Sequence, residues 1–255
     1  MNFIDTHTHL YLEEFNSDRS EVVQNTIDAG ITKLLLPNID SNSIDSMMNL
    51  VQQFPKNCFP MIGLHPGSVN QNYLEELNII EQQLNTHNFI AIGEIGIDLY
   101  WDKTYKEEQI KAFQYQINLA QNHQLPIIIH SRNAFDEIFD VLENNANKDY
   151  KGIFHCFSGS VEQANRAIDL GFLLGIGGVV TYKNSGLDKI VQSVDLNKLV
   201  LETDSPYLTP VPFRGKRNES KYIINIAEKI ATLKNTDLLT VAEITSNNAN
   251  NLFKI

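Results

Sequence analysis

Cysteine is scarce in this sequence of 255 residues, which contains only Cys58 and Cys156. Two cysteines cannot build a disulfide framework or a thiolate metal cluster. We therefore expect any metal site in this chain to use imidazole and carboxylate ligands.

Long hydrophobic stretches are also missing. The N-terminus lacks a basic segment followed by an apolar one, and no apolar run is long enough to cross a bilayer. The sequence therefore predicts a soluble, cytoplasmic protein without a signal peptide and without a membrane partner.

Positive charge is in deficit, because 20 lysines and arginines stand against 31 aspartates and glutamates, for a formal net charge of −11. Broad adhesion to nucleic acid depends on the neutralisation of phosphates by basic side chains. We therefore expect no extended basic surface. A small phosphate-binding cleft is still compatible with this charge if bound cations provide its positive potential.

Short apolar runs alternate with amphipathic segments along the whole chain. The apolar runs cover residues 3–4, 31–36, 59–64, 89–92, 126–129, 152–154, 172–176 and 199–201. Helices are predicted over residues 20–29, 43–54, 73–84, 106–123, 134–144, 160–170, 187–193, 220–232 and 240–252. Runs that are apolar throughout are typical of parallel strands covered on both faces.

Eight such alternations predict an α/β fold, namely a (β/α)8 TIM barrel, with a doubly wound open sheet as the alternative. No linker, repeat or low-complexity segment interrupts the pattern. We therefore expect one domain over residues 1–255.

Residues with metal-binding or acid–base chemistry gather just past the apolar runs. They are His7, His9, His65, Glu94, His130, His155 and Asp204. The C-terminal ends of the strands carry the active site in a TIM barrel, so these side chains are expected to lie together there. One histidine at a strand end is more often structural, but the repetition at six strand ends favours a metal site.

The number of candidate ligands indicates two cations. His7 and His9 are separated by one residue, so strand alternation turns both imidazoles to the same side. The six candidate ligands are His7, His9, Glu94, His130, His155 and Asp204. Six exceed the needs of one tetrahedral cation, and Glu94, midway in strand order, is the predicted bridge. A metal pair binds a phosphate and generates hydroxide near neutral pH, which predicts hydrolysis of a phosphoester.

Six ordered motifs carry a resemblance to a known family. They are IDTHTHL (4–10), GLHPG (63–67), GEIGID (93–98), LPIIIHSR (125–132), HCFSG (155–159) and LETDSPYL (201–208), followed by RGK (214–216). Together they resemble the TatD-like metal-dependent deoxyribonucleases of the amidohydrolase superfamily. Any one motif is weak, but six in the right order over the whole chain are specific.

The resemblance implies a role for each site residue. His7, His9 and Asp204 would hold a first metal, His130 and His155 a second, and Glu94 would bridge the two. Asp204 would also orient or deprotonate the attacking water. The resemblance further implies that His65 contacts the scissile phosphate and that Glu202 is a possible ligand of an additional cation.

Substrate contacts are predicted with alternatives left open. Arg132, Arg214 and Lys216 are candidate phosphate clamps, and Tyr182 or Tyr207 could stack on a base. Ser131 and Arg132 could instead cap the next helix, and the basic cluster could be solvated. The irregular stretch 206–219, which holds that cluster, is a functional loop or a surface excursion. Cys156 is predicted to face the helix layer as a packing residue.

Three functions are weighed. The first is a deoxyribonuclease that removes nucleotides from a 3′ end or from single strands, with DNA as substrate and no obligate protein partner. The second is an amidohydrolase or esterase acting on a small molecule or an aminoacyl-tRNA with the same metals. The third is a catalytically silent scaffold, which filled ligand positions disfavour. The expected cofactors are two divalent cations, Mg²⁺, Mn²⁺ or Zn²⁺. The imidazoles favour Zn²⁺, Co²⁺ or Mn²⁺ over Mg²⁺.

Overall fold

Eight strands and nine helices alternate through the computed structural model, which describes residues 1–255. The strands are β1 (Phe3–Asp5), β2 (Ile31–Pro37), β3 (Cys58–Met61), β4 (Ile92–Asp98), β5 (Ile127–Arg132), β6 (Gly152–Phe154), β7 (Phe172–Ile176) and β8 (Leu199–Leu201). The α-helices are α1 (Arg19–Asp28), α2 (Ile44–Gln53), α3 (Tyr73–Leu84), α4 (Lys106–His123), α5 (Phe135–Asn144), α6 (Val161–Asp169), α7 (Leu187–Ser193), α8 (Ile223–Lys234) and α9 (Leu238–Phe253).

The strands form a closed parallel barrel. Strands β1 to β3 pair in order, and so do β4 to β8, always in parallel. One bridge between Ile62 and Ile92 joins the two groups after β3. The other seam lies between β8 and β1, where Thr6 donates a backbone hydrogen bond to Leu201 and Thr8 bridges to Ser205. The predicted (β/α)8 barrel is therefore confirmed, and the open-sheet alternative is wrong.

One side chain from each strand, or from its start, fills the inside of the barrel. These residues are Ile4, Leu35, Met61, Ala91, Ile128, Ile153, Leu173 and Val200. Ala249 and Phe253 of α9 pack on this inner cluster, and the Ser246 hydroxyl of the same helix donates to the Asn2 carbonyl. Helix α9 therefore closes the N-terminal end of the barrel and leaves the opposite end for the site.

Strand β3, predicted over residues 59–64, begins at Cys58 and ends at Met61. The predicted bounds of β4 and β5 also need correction. Strand β4 was predicted over residues 89–92 but begins at Ile92 and extends to Asp98. Strand β5 was predicted to stop at Ile129 but continues to Arg132. Both predictions followed the apolar run, whereas each strand continues through polar residues that face the barrel mouth. Glu94 and His130 are therefore strand residues rather than loop residues.

The length and apolar character of the helices bear on whether any of them could cross a bilayer. None of them combines the length and the apolar character that are needed to span a membrane.

Candidate metal centre

All six predicted metal ligands converge at the C-terminal mouth of the barrel, beside a cavity of about 1000 Å³. Their donor atoms fall into overlapping groups, which are His7 with His9 and Glu94, His7 with His155 and Asp204, and His65 with Glu94 and His130. The structure thus brings together every residue that the sequence proposed as a ligand, and adds His65 to the same cluster.

The first donor set surrounds the two N-terminal histidines. His7 Nε2 lies 3.2 Å from His9 Nε2 and 3.1 Å from Glu94 Oε2. Asp204 Oδ1 lies 3.4 Å from His9 Nε2 and 3.8 Å from His7 Nε2. The expected convergence of His7 and His9 on one side of the chain is present.

Tyr11 determines which nitrogen of His9 carries hydrogen. The Tyr11 hydroxyl donates to the Pro37 carbonyl at 2.5 Å, so its oxygen can only accept from His9 Nδ1, which lies 3.0 Å away. In the neutral ring, His9 Nε2 is then a lone pair that faces His7 Nε2. Two ring nitrogens at this distance repel each other unless a hydrogen or a cation lies between them. A bound metal ion would be such a cation.

Glu94 lies between the two halves of the cluster. Its Oε2 faces His7, whereas its Oε1 is 2.7 Å from His130 Nδ1 and 3.7 Å from His155 Nε2. Burial alone would raise the pKa of Glu94, but the neighbouring His7, His65 and His155 hold it well below its usual range. The side chain is therefore a carboxylate with one oxygen available to each half.

A register shift in β4 turns Glu94 into the barrel. Ala91 belongs to the inner cluster, whereas Ile95 and Ile97 belong to the outer core between strands and helices. Simple alternation from Ala91 would therefore turn Glu94 outward. The pairing of β4 with β5 shifts between Ile92 and Ile95, and this shift reverses the alternation.

His130 is oriented by a carboxylate that the sequence did not single out. His130 Nε2 lies 3.0 Å from Asp98 Oδ2, which leaves Nδ1 directed at Glu94 Oε1. Burial lowers the pKa of His130, but the hydrogen bonds to Asp98 and Glu94 raise it to about 9. The His130 ring therefore keeps its proton between the carboxylates of Glu94 and Asp98. A divalent cation could replace that proton.

The neutral His65 ring carries its hydrogen on Nε2, whereas the neutral His9 ring carries it on Nδ1. His65 Nδ1 accepts a hydrogen bond from the Gly67 backbone N–H at 2.9 Å, so in the neutral ring Nε2 carries the hydrogen. That Nε2 lies 3.5 Å from Glu94 Oε1 and 3.3 Å from His130 Nδ1. His65 is therefore built to donate toward an oxygen rather than to ligate a metal.

His155 and Glu202 form a buried pair behind the cluster. The His155 ring stacks on His7 with centroids 3.4 Å apart, and its Nδ1 lies 3.1 Å from Glu202 Oε1. Burial lowers the pKa of His155, but the charges of Glu202 and Glu94 raise it to about 10. Glu202 Oε2 has no hydrogen-bond partner, and Gly175 leaves it room, because a Cβ there would lie 2.3 Å away. Glu202 thus contacts the back of a candidate ligand.

The residues present fit divalent cations. At three places a ring nitrogen lies close to another possible metal donor: His7 Nε2 to His9 Nε2, His7 Nε2 to Glu94 Oε2, and His130 Nδ1 to Glu94 Oε1. Imidazole and carboxylate donors suit Zn²⁺ and Mn²⁺, and no thiolate is required. Asp204 completes the set from a left-handed backbone conformation (φ 56°), which aspartate tolerates better than most residues.

Cys156 does not face the helix layer, so that prediction is wrong. Cys156 lines the cavity beside the candidate metal ligands, and its backbone N–H donates to Glu202 Oε1. Strand β6 ends at Phe154, and Cys156 has φ 44°, so the alternation of a strand no longer applies. Burial and the charges of Glu202 and Asp204 raise the pKa of its thiol well above its usual range, so the thiol is neutral.

The predicted substrate contacts lie at different places. Arg132 and Tyr207 line the cavity. Arg214 and Lys216 are exposed and do not line it, and the Arg214 guanidinium stacks on the Tyr182 ring at 3.8 Å. The loop that holds these basic residues therefore runs beside the mouth.

Two residues of the centre were missed because their contacts are long-range. The Tyr11 hydroxyl reaches Pro37 of β2 across 26 positions, and Asp98 reaches His130 across 32 positions. Asp98 had a usable signal, because it ends the motif that contains Glu94. Tyr11 had only its position two residues after His9.

Comparison with known proteins decides the family. The family described as TatD related DNase matches residues 4–254. This chain belongs to the TatD-related DNase family. The resemblance inferred from the six motifs is confirmed, and with it membership of a family of metal-dependent hydrolases.

Relatives with this architecture cover the whole chain. It is 37% identical over 252 residues to YabD of Bacillus subtilis, an uncharacterized metal-dependent hydrolase, with 98% of both chains covered. It is 31% identical over 258 residues to the 3′-5′ ssDNA/RNA exonuclease TatD of Salmonella typhimurium, again with 98% of both covered. The crystal structure of the TatD homologue YjjV from Escherichia coli K12 is similar with a TM-score of 0.93 at 30% identity, over 99% of this chain and 98% of that one.

Proposed function

We propose that this TatD-family hydrolase is a deoxyribonuclease that cleaves DNA phosphodiester bonds with two divalent cations, removing nucleotides from the 3′ end of single strands. The observation that carries the proposal is the position of Glu94, whose two carboxylate oxygens face two different groups of histidines. A carboxylate in that position could ligate both cations of a two-metal hydrolase.

The resemblance to the family implies which residues would hold the cations. His7, His9, Asp204 and Glu94 would hold the first, and Glu94, His130 and His155 the second. Glu202 remains a candidate for an additional cation. Bound there, the cations would supply Lewis acidity toward a phosphoryl oxygen and lower the pKa of water toward neutrality.

The protein's own side chains would handle the proton and the phosphate. Burial would raise the pKa of Asp204, but His9 and His155 lower it, so the carboxylate is ionised and able to accept a proton from water. Asp204 also lines the cavity. His65, with hydrogen on Nε2, would donate to a non-bridging phosphate oxygen.

The net charge of the chain favours binding of the end of a single DNA strand over binding of an extended DNA duplex. With a net charge of −11, the surface lacks the basic stripe that a long phosphate track requires. A short substrate segment would need neutralisation only at the metal centre and at Arg132, which lines the cavity. The Salmonella relative named as a 3′-5′ ssDNA/RNA exonuclease supports this reaction class.

The test is degradation of an oligonucleotide labelled at one end, with Mg²⁺ or Mn²⁺. The expected result is metal-dependent loss of nucleotides from the 3′ end and loss of that activity in Glu94→Ala. Glu228→Ala is the matched control, because Glu228 is an exposed carboxylate on α8. Equal activity in wild type and Glu94→Ala would refute the assignment.

A second candidate is an amidohydrolase or esterase on a small molecule or an aminoacyl-tRNA. The acidic charge of the cavity wall favours it. Arg132 is the single arginine or lysine of that wall, which also holds the carboxylates of Glu94, Asp98, Asp102 and Asp204. Parallel assays on DNA, RNA, cyclic amides and an aminoacylated tRNA separate the two. A faster metal-dependent turnover of a carbonyl substrate would favour this candidate.

A further inference from the structure

Two aromatic side chains lie exposed where β4 leaves the barrel. Trp101, which lines the metal cavity, is 76% exposed, and its neighbour Tyr100 is 51% exposed. Their rings meet at 89° with centroids 4.8 Å apart. Two adjacent exposed aromatic side chains beside a cavity form a surface on which a flat ligand could stack.

Arg132 fixes the pair from the side of β5. Its guanidinium lies 3.9 Å from the centroid of the Tyr100 ring and 5.2 Å from that of Trp101. The Arg132 carbonyl also accepts a hydrogen bond from the Leu99 backbone N–H at 2.9 Å, which ties the two segments together. Cation–π contact with Tyr100 holds one face of the pair and leaves the Trp101 indole largely exposed.

The aromatic pair is linked to the candidate metal ligands by a continuous chain of short contacts. Glu94 Oε1 lies 2.7 Å from His130 Nδ1, and His130 Nε2 lies 3.0 Å from Asp98 Oδ2. Asp98 Oδ1 in turn accepts a hydrogen bond from the Tyr100 backbone N–H at 2.9 Å. The backbone that carries the aromatic pair is therefore tied to the candidate metal ligands.

We propose that Trp101, supported by Tyr100 and Arg132, is a stacking platform for an unpaired nucleobase of the substrate whose phosphate binds at the metal centre. The platform is continuous with the metal cavity, and the Arg132 cation complements a neighbouring phosphate. Aromatic faces stack on any base, whereas a base inside a duplex has no free face to offer. The proposal rests on the proposed function and adds the residues that would hold a base of the single strand.

The chain provides its own probe, because Trp101 is its only tryptophan. Indole emission, excited where tyrosine does not absorb, reports on this residue alone. Thymidine 5′-monophosphate added to the Mg²⁺-loaded protein should cause a saturable loss of emission. Deoxyribose 5-phosphate, which has the same sugar and phosphate but no base, and inorganic phosphate should leave the emission unchanged.

Variants test the same contact in the reaction. Trp101→Leu should raise KM for a single-stranded oligonucleotide about 5- to 20-fold, the lower part of the range for loss of a base stack, with a smaller change in kcat. Trp101→Phe should restore most of the affinity because it retains an aromatic face. Tyr115→Leu is the control, since Tyr115 is an exposed aromatic on α4 that bonds Glu81 and does not line the cavity.

The outcomes separate this proposal from the proposed function. Loss of emission with the nucleotide in a protein that fails to cut DNA supports the platform and refutes the deoxyribonuclease. Normal DNA degradation by Trp101→Leu, with wild-type emission that ignores the nucleotide, refutes the platform and leaves the deoxyribonuclease intact. Equal loss of emission with deoxyribose 5-phosphate also refutes the platform, because the base would then play no part.

Discussion

Asp5 accepts two hydrogen bonds from Thr203, one from its backbone N–H at 3.0 Å and one from its hydroxyl at 2.6 Å. Both residues are fully buried, and the contact joins β1 to the segment after β8. Burial raises the pKa of Asp5 to about 7 although its hydrogen bonds lower it. The closing seam of the barrel, one residue from Asp204, therefore depends on a polar contact.

Replacement of Thr203 by valine should weaken that seam. Valine keeps the shape but removes a donor to the buried Asp5 carboxylate, which costs about 1–3 kcal/mol of the free energy of unfolding. Urea unfolding measures the loss. Thr232→Val, at an exposed position of α8, is the control and should change stability by less than about 0.5 kcal/mol. Equal stability of the Thr203 variant and wild type would contradict the role of the contact.

Tyr11→Phe should weaken metal binding without emptying the site. The change removes the oxygen that accepts from His9 Nδ1, so the ring loses the contact that directs Nε2 at the first cation. Loss of such an orienting contact typically lowers metal affinity about 10- to 100-fold. Competition with a chelator measures it.

Tyr150→Phe is the matched control for that experiment. Its hydroxyl donates to the buried Leu142 carbonyl away from the centre, so its loss should lower stability and leave metal affinity unchanged. If the two variants bind metal equally well, Tyr11 does not orient His9.

Removal of His7 and His9 together should reduce the bound metal by one cation of two. Glu94 Oε1, His130 and His155 remain to hold the second. Elemental analysis of the double variant His7→Ala, His9→Ala measures the count. The double variant His87→Ala, His123→Ala, which removes two exposed histidines, should keep full metal content. A count of zero would show that the two cations cannot bind separately.

Asp18→Asn should remove a pH-dependent part of the stability. Arg217 donates to both carboxylate oxygens of Asp18, at 2.8 and 2.7 Å, and this contact lowers the pKa of Asp18 in the folded chain. The stabilisation is therefore present above the ordinary pKa of about 4 and is lost as pH falls through the lowered value. The pair is partly exposed, so we expect less than about 1 kcal/mol.

Urea midpoints at neutral and at acidic pH test this prediction. Wild type should be slightly more stable than Asp18→Asn at neutral pH, and the difference should shrink as Asp18 becomes protonated. A constant difference at all pH values would show that the ion pair is not its source. Because Arg217 lies on the loop after β8, the pair also ties that loop to the start of α1.

Periodicity in the sequence was sufficient for much of the architecture. Helices α3, α4 and α7 begin and end at the predicted residues, because amphipathic spacing and turn residues mark both ends. The convergence of the candidate ligands followed from the rule that strand ends meet at one face of a barrel. Neither inference required knowledge of which residues touch.

The details that were missed depend on pairing between distant segments. The inward turn of Glu94 arises from a register shift against β5, which no local pattern encodes. The orientation of Cys156 arises from a backbone conformation beyond the end of β6. Hydrogen positions on His9 and His65 follow from Tyr11 and Gly67. Sequence thus predicted which residues meet, and the structure was needed for how they are oriented.

The filled interior of the barrel closes the inner end of the cavity beside the candidate metal ligands. Side chains from all eight strands occupy the space below the metal ligands, and Phe253 closes the far side. A polymer cannot be threaded through such a chamber, so whatever enters at the mouth must leave by the same opening. Under the proposed function, each released nucleotide would therefore have to leave the entrance before the shortened strand could advance to the candidate metal ligands.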